Sequence, residues 1–183
     1  MNILSDILLA ASLCADCFAV SLVTGVSLNR AGKRKIAFVA LLFALIQTAF
    51  LLAGFFFGEL IADLVWRISK IIAFLILLYV GGSMIYESIK GEEDSINLTS
   101  FRNIILAGTA TSIDALAVGA AEAFAGGLAK DIWPLAAAVA VITALSVVTG
   151  LLGSRFIPRK WGRVSETAGG IVLIIIGIMQ LIA

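Results

Sequence analysis

Histidine is absent from this chain, and cysteine and proline occur only twice each among 183 residues. Charge is scarce too, at 14% of residues. Each scarcity excludes something. Without imidazole the commonest protein ligand for zinc, copper or nickel is missing, which leaves carboxylate, amide, hydroxyl and carbonyl oxygens together with two thiols. Those thiols, Cys14 and Cys17, lie inside one apolar run rather than in a secreted loop, so a disulfide framework is not expected. A soluble domain carries about 25% charged residues. This chain is far poorer, is 61% hydrophobic and has a mean hydropathy of +1.12. It reads as an all-α integral membrane protein. A net charge of +1 gives no reason to expect a nucleic-acid partner.

Runs of about 20 apolar residues, the length that crosses roughly 30 Å of hydrocarbon, occur six times: Ile3–Ser27, Ile36–Gly58, Ile71–Ile89, Phe101–Ala121, Ile132–Gly153 and Val164–Ala183. The opening Met1-Asn2-Ile3-Leu4-Ser5-Asp6 lacks the basic region of a signal peptide and reads as the start of a retained first helix. Arg30, Lys33, Arg34, Lys35, Lys90, Arg102, Arg155, Arg159, Lys160 and Arg163 fall in the odd-numbered loops, against Arg67, Lys70 and Lys130 in the even ones. The odd loops are therefore expected on the cytoplasmic side of the plasma (inner) membrane, with both termini facing outward. Glu92, Glu93 and Asp94 make residues 91–100 an acidic cytoplasmic linker between a first three-helix unit, 1–90, and a second, 101–183.

Two of the runs carry an acid near their middle. Asp16, in Asp16-Cys17-Phe18-Ala19-Val20, and Asp114, in Asp114-Ala115-Leu116-Ala117-Val118, lie 98 residues apart. An unpaired carboxylate at that depth costs about 2.5–3.5 kcal/mol on insertion scales, so the acids are expected to meet and to work. The same register sets Thr48 on Ser146, and with a gap of three it sets Trp66 on Trp161, Gly82 on Gly177 and Met84 on Met179. Three helices per unit force the units to enter the membrane in opposite directions. The fold class expected is thus six transmembrane helices as two inverted three-helix repeats, with the acids brought together near the midplane. Two facing carboxylates without a cation must share a proton, whereas a divalent ion neutralises both. That exchange is a physical route to proton-coupled ion transport. Hard oxygen donors suit Mn²⁺, Mg²⁺ or Ca²⁺. Ser12, Gln47, Thr48, Thr111, Ser146 and Glu122 are the polar residues placed to join Asp16 and Asp114 around a metal.

With Ser112-Ile113 before the second acid, Gly119 after its motif, and Gly81-Gly82-Ser83-Met84-Ile85-Tyr86-Glu87 closing the first unit, the chain resembles the MntP family of bacterial manganese efflux pumps over essentially its whole length. The resemblance implies an inner-membrane exporter, not an enzyme, that needs Asp16 and Asp114, carries Mn²⁺ as its transported substrate and uses no cofactor. Cys14 stands where relatives often have Ser, and Gln47 where some have an acid. Both departures bear on the ligand count and the metal preference.

Other readings weigh against this one. Cys14 and Cys17 are expected as small packing residues, with a thiolate contact to Cd²⁺ or Zn²⁺ as the alternative. Gly54-Phe55-Phe56-Phe57-Gly58 has the spacing of close helix approach and is expected to pack within the protomer. Glu87 and Glu122 sit near span ends, where acids are as readily solvated as functional. Trp66, Trp133 and Trp161 read as interfacial anchors. An intramembrane aspartyl protease would need Gly-x-Gly-Asp, and Thr111-Ser112-Ile113 precede Asp114 instead. A thiol-redox carrier would rest on the cysteines alone. Beside export of another divalent cation such as Cd²⁺, Zn²⁺ or Mg²⁺, the main alternative is an amino-acid exporter, which would need a basic group deep in a span to meet the substrate carboxylate, and none is there.

Overall fold

The computed structural model describes residues 3–25, 33–62, 69–90, 101–126, 132–154, 156 and 160–182. Those residues form eight helices: α1 Ile3–Leu13, α2 Ala15–Thr24, α3 Lys33–Ala62, α4 Ser69–Lys90, α5 Phe101–Ala110, α6 Ile113–Phe124, α7 Ile132–Gly153 and α8 Lys160–Ile182. Asp6–Thr24, Lys33–Ile61, Ile71–Lys90, Phe101–Phe124 and Ile132–Gly153 are long and apolar enough to cross a membrane. The sixth expected run is α8, whose apolar stretch is Thr167–Met179. Outward faces carry Leu41, Leu45, Leu75, Val141, Leu145 and Ile175, all exposed, which suits lipid rather than water. The linker 91–100 lies outside the described residues, as do Trp66, Arg30, Arg67, Lys130, Arg155 and Arg159.

Two of the expected continuous spans are interrupted. The first breaks at Cys14, with φ −83° and ψ −1°. The fourth breaks at Thr111-Ser112, where Ser112 has φ −105° and ψ 0°. Neither break contains proline or glycine, so hydropathy passes straight over them. They fall at matching places: Asp16 is the second residue of α2 and Asp114 the second residue of α6.

Packing is largely reciprocal between the two halves of the chain, the exception among the described residues being α1 on α8, which α4 and α5 do not match. α3 packs on α5 and α6, and α7 packs on α1 and α2; α4 packs on α6, and α8 on α2; α3 meets α7, and α4 meets α8. Glycines set the closest approaches. A Cβ at Gly54 would collide with the Leu116 carbonyl, and one at Gly119 with the Leu51 carbonyl. Correspondingly, a Cβ at Gly150 would stand 2.9 Å from the Phe18 carbonyl oxygen. At the α4–α8 crossing, Gly81 faces the Gly170 carbonyl and Ile174, while Gly170 faces the Gly81 carbonyl and Ile85. Gly58 rests on Ala120, so Gly54-Phe55-Phe56-Phe57-Gly58 does pack within the protomer. Phe56 and Phe57 point outward.

Residues that the sequence set on one another differ in their surroundings here. Gly81 lies opposite Gly170, whereas Gly82 has nothing within 4 Å of a would-be Cβ and Gly177 packs on Leu77. Met84 is buried and Met179 exposed, so that match is not one of environment. The sequence match drifts because apolar third helices offer many equally good Gly and Met alignments. Leu9, Leu13, Leu51, Phe55, Val80, Val118, Leu135, Val139 and Leu173 form one buried cluster to which every span contributes.

Candidate metal site at the two helix breaks

The breaks deliver the acids to one place. Asp16 and Asp114, both half-buried, line a single cavity of about 280 Å³ whose wall also carries Tyr79, Ser83 and Met84 of α4. Each carboxylate stands in the first turn of its helix, where the positive end of the helix dipole offsets part of the cost of an anion at this depth. In α6 a backbone contact is explicit: the Ala115 N–H donates to Asp114 Oδ1 at 3.0 Å. Among the described residues the cavity wall bears two acids, two hydroxyls and no basic side chain. Among the described residues no group of three or more His, Cys, Asp and Glu side chains is arranged to hold a metal. An ion here would complete its shell with neutral oxygens or water.

The remaining residues singled out in the sequence scatter around this cavity. Ser12 and Ser146 line a different one, of about 320 Å³, together with Cys14 and Ser165. The Ser12 hydroxyl donates to Leu9 O at 2.8 Å. Thr111 is occupied in its own break, donating to Ala107 O at 3.0 Å and Gly108 O at 3.2 Å. Thr48 is half-buried, and its Oγ1 is buried without a hydrogen-bond partner among the described residues. Glu122 is buried, about two turns along α6 from Asp114, and does not line the acid cavity.

Gln47 is fully buried. Its Nε2 donates to Leu13 O at 3.2 Å, and its Oε1 accepts from Cys17 Sγ at 2.6 Å. On the opposite side of the first break, Thr143 Oγ1 lies 3.0 Å from Cys14 Sγ. Both thiols are therefore engaged in the protein interior, and both are free of disulfide. Cys14 lines the second cavity rather than the acid one. Sequence reasoning missed Thr143, Tyr79 and Ser83. Ser83 stood in the Gly81-Gly82-Ser83-Met84 motif, where it was the one hydroxyl beside two glycines. Thr143 was hidden because aligning Thr48 with Ser146 looked two to three residues away from the level at which α7 meets the break.

Fold and cavity together define a multi-pass helical membrane protein with an acid pair inside the bundle. The profile of a protein family described as "Putative manganese efflux pump" matches residues 30–181, and the chain belongs to that MntP family. Proteins called "Putative manganese efflux pump MntP" are similar to it along nearly their whole length. The one from Paraburkholderia phytofirmans is 38% identical over 180 residues, covering 97% of this chain and 94% of the relative. That from Bacteroides fragilis is 37% identical over 182 residues, 96% and 93%, and that from Cronobacter sakazakii 34% over 180 residues, 97% and 95%. No solved structure matches the chain.

Proposed function

We propose that this protein exports Mn²⁺ from the cytoplasm across the plasma (inner) membrane, holding the ion between Asp16 and Asp114. The observation that carries the reading is the convergence of both acids on one cavity whose wall, among the described residues, has no basic side chain. A cavity of that charge favours a cation, and disfavours an amino acid whose carboxylate would need a counter-charge. Family membership supplies manganese and the outward direction. Carboxylates neutralise the ion, and the Ser83 and Tyr79 hydroxyls or water fill the remaining positions with the hard oxygens Mn²⁺ accepts.

In the transport cycle, residues 1–90 and 101–183 act as inverted three-helix repeats related by a two-fold axis in the membrane plane, with 91–100 as the cytoplasmic linker. Matching helix breaks and reciprocal crossings support that arrangement. The halves rock about the fixed acid pair, exposing it first to the cytoplasm and then outward. After the ion leaves, the two carboxylates of this cavity take up a proton in its place, which gives the return step a proton to carry. Both termini face outward.

The test loads proteoliposomes or cells with Mn²⁺ and follows its loss for wild type, Asp16→Ala and Asp114→Ala. Export is expected to fail in both variants. Wild-type export in either one would remove that acid from the site.

A further inference from the structure

The fully buried Gln47 amide bridges the first helix break. It donates to Leu13 O, the last residue of α1, and accepts from Cys17 in the first turn of α2. Its Nε2 also lies 3.9 Å from Cys14 Sγ, in the break itself. Asp16 sits between the two residues that the amide ties. With donor and acceptor both committed to α1 and α2, and with no place in the wall of the acid cavity, the side chain is not arranged as a metal ligand.

We infer that Gln47 is a positioning residue: a splint from α3 that fixes how α2 leaves α1, and so where the Asp16 carboxylate points, using the Cys17 thiol as its second anchor. A break that interrupts the i→i−4 ladder leaves backbone groups to be satisfied by side chains. The second break does this with its own hydroxyls, Ser112 Oγ donating to Gly108 O at 2.5 Å and Thr111 Oγ1 to the same carbonyl at 3.2 Å. Leu13 has no polar side-chain group and Cys14 only a weak donor. The first break therefore relies on α3, and on Thr143 of α7. The Cys14–Cys17 pair is part of this support, and its role is to hold the acid rather than to bind a soft metal.

This inference refines the manganese-site reading, and its test has one arm independent of that reading. Mn²⁺ transport by the full chain in proteoliposomes is measured for Gln47→Leu, Gln47→Glu, Cys17→Ala, Cys17→Ser and the double variant Gln47→Leu/Cys17→Ala. A splint predicts that Gln47→Leu and Gln47→Glu both raise KM about tenfold or more, since small misplacements of a binding group are costly. Cys17→Ser, which keeps a donor, stays near wild type while Cys17→Ala does not, and the double variant is no worse than Gln47→Leu alone. A fall in KM for Gln47→Glu would make residue 47 a ligand and overturn the proposal. So would equal behaviour of Cys17→Ala and Cys17→Ser, a comparison that survives if Gln47→Leu does not fold.

The independent arm maps N-ethylmaleimide labelling of Cys17 by mass spectrometry in metal-free protein. Labelling is expected to rise about tenfold in Gln47→Leu, where the thiol loses its nearer partner, keeps only Thr111 Oγ1 at 3.8 Å, and the break opens more often. It is expected to stay at the wild-type rate in Asp16→Asn. An unchanged rate in Gln47→Leu overturns the splint whatever the transported ion is. Normal Mn²⁺ transport by Asp16→Asn would instead overturn the site reading and leave the splint standing.

Discussion

The two helix breaks occupy the same place relative to their acids and are held in opposite ways. In the fourth span Thr111 and Ser112 turn their hydroxyls back onto Ala107 and Gly108, so the break is satisfied within its own segment. In the first span Leu13 and Cys14 offer little of that kind, and Gln47 and Thr143 reach in from α3 and α7. One sequence difference, Leu-Cys against Thr-Ser, decides which break bonds its carbonyl with its own hydroxyls and which draws on α3, and the two breaks meet where Cys17 Sγ lies 3.8 Å from Thr111 Oγ1. The segment carrying Asp16 is thereby coupled to both helices that flank it, and the one carrying Asp114 is not coupled in the same manner.

The largest expected effect tests what the breaks share. Asp16→Ala and Asp114→Ala should each lower Mn²⁺ export by about 100-fold or more, as loss of a group placed at the bound ion does. A large effect from only one of them would end the equivalence. Next come the glycine contacts that seat each half-helix. Gly119→Ala, whose Cβ would meet the Leu51 carbonyl, should destabilise the protein by about 1–3 kcal/mol, read as a lowered Tm in detergent. Gly82→Ala, at a site with open space, should leave Tm near the wild-type value. The difference between the breaks is sharpened by Gln47→Leu against Ser112→Ala. The first strands buried partners on two segments and should cost about 1–3 kcal/mol. The second should cost about 1 kcal/mol or less, because Thr111 still reaches the Gly108 carbonyl. Equal costs would erase the contrast. The smallest effect is the most specific: Cys14→Ser gives the first break a hydroxyl like that of Ser112 and should reduce the penalty of Gln47→Leu measured in that background.

Much of the fold was open to reading, and the reason is lipid. Five of the six apolar runs coincide with long apolar helices, and Ile132–Gly153 agrees end to end, because a membrane span is specified by length and composition. The acids were legible for a related reason, since a carboxylate amid Ala, Val and Leu is too costly to be incidental. The breaks were not. Cys14, Thr111 and Ser112 are small residues that a helix tolerates, and no proline or glycine marks either break. Missing the breaks misplaced the neighbours. Ser12 and Thr111, counted along an unbroken helix, fall on the faces of Asp16 and Asp114; in the structure Ser12 lines the other cavity and Thr111 bonds back into α5. Thr143 needed the true level of α7, which the reciprocal glycine crossings set and short apolar matches could not.

Mn²⁺ binding to purified full-length protein, measured by titration with wild type, Asp16→Asn and Asp114→Asn side by side, tests the shared site most directly. One ion per chain for wild type, with affinity lost in each single variant, is the result expected if both carboxylates hold the same ion. Wild-type affinity and stoichiometry in either variant would contradict it.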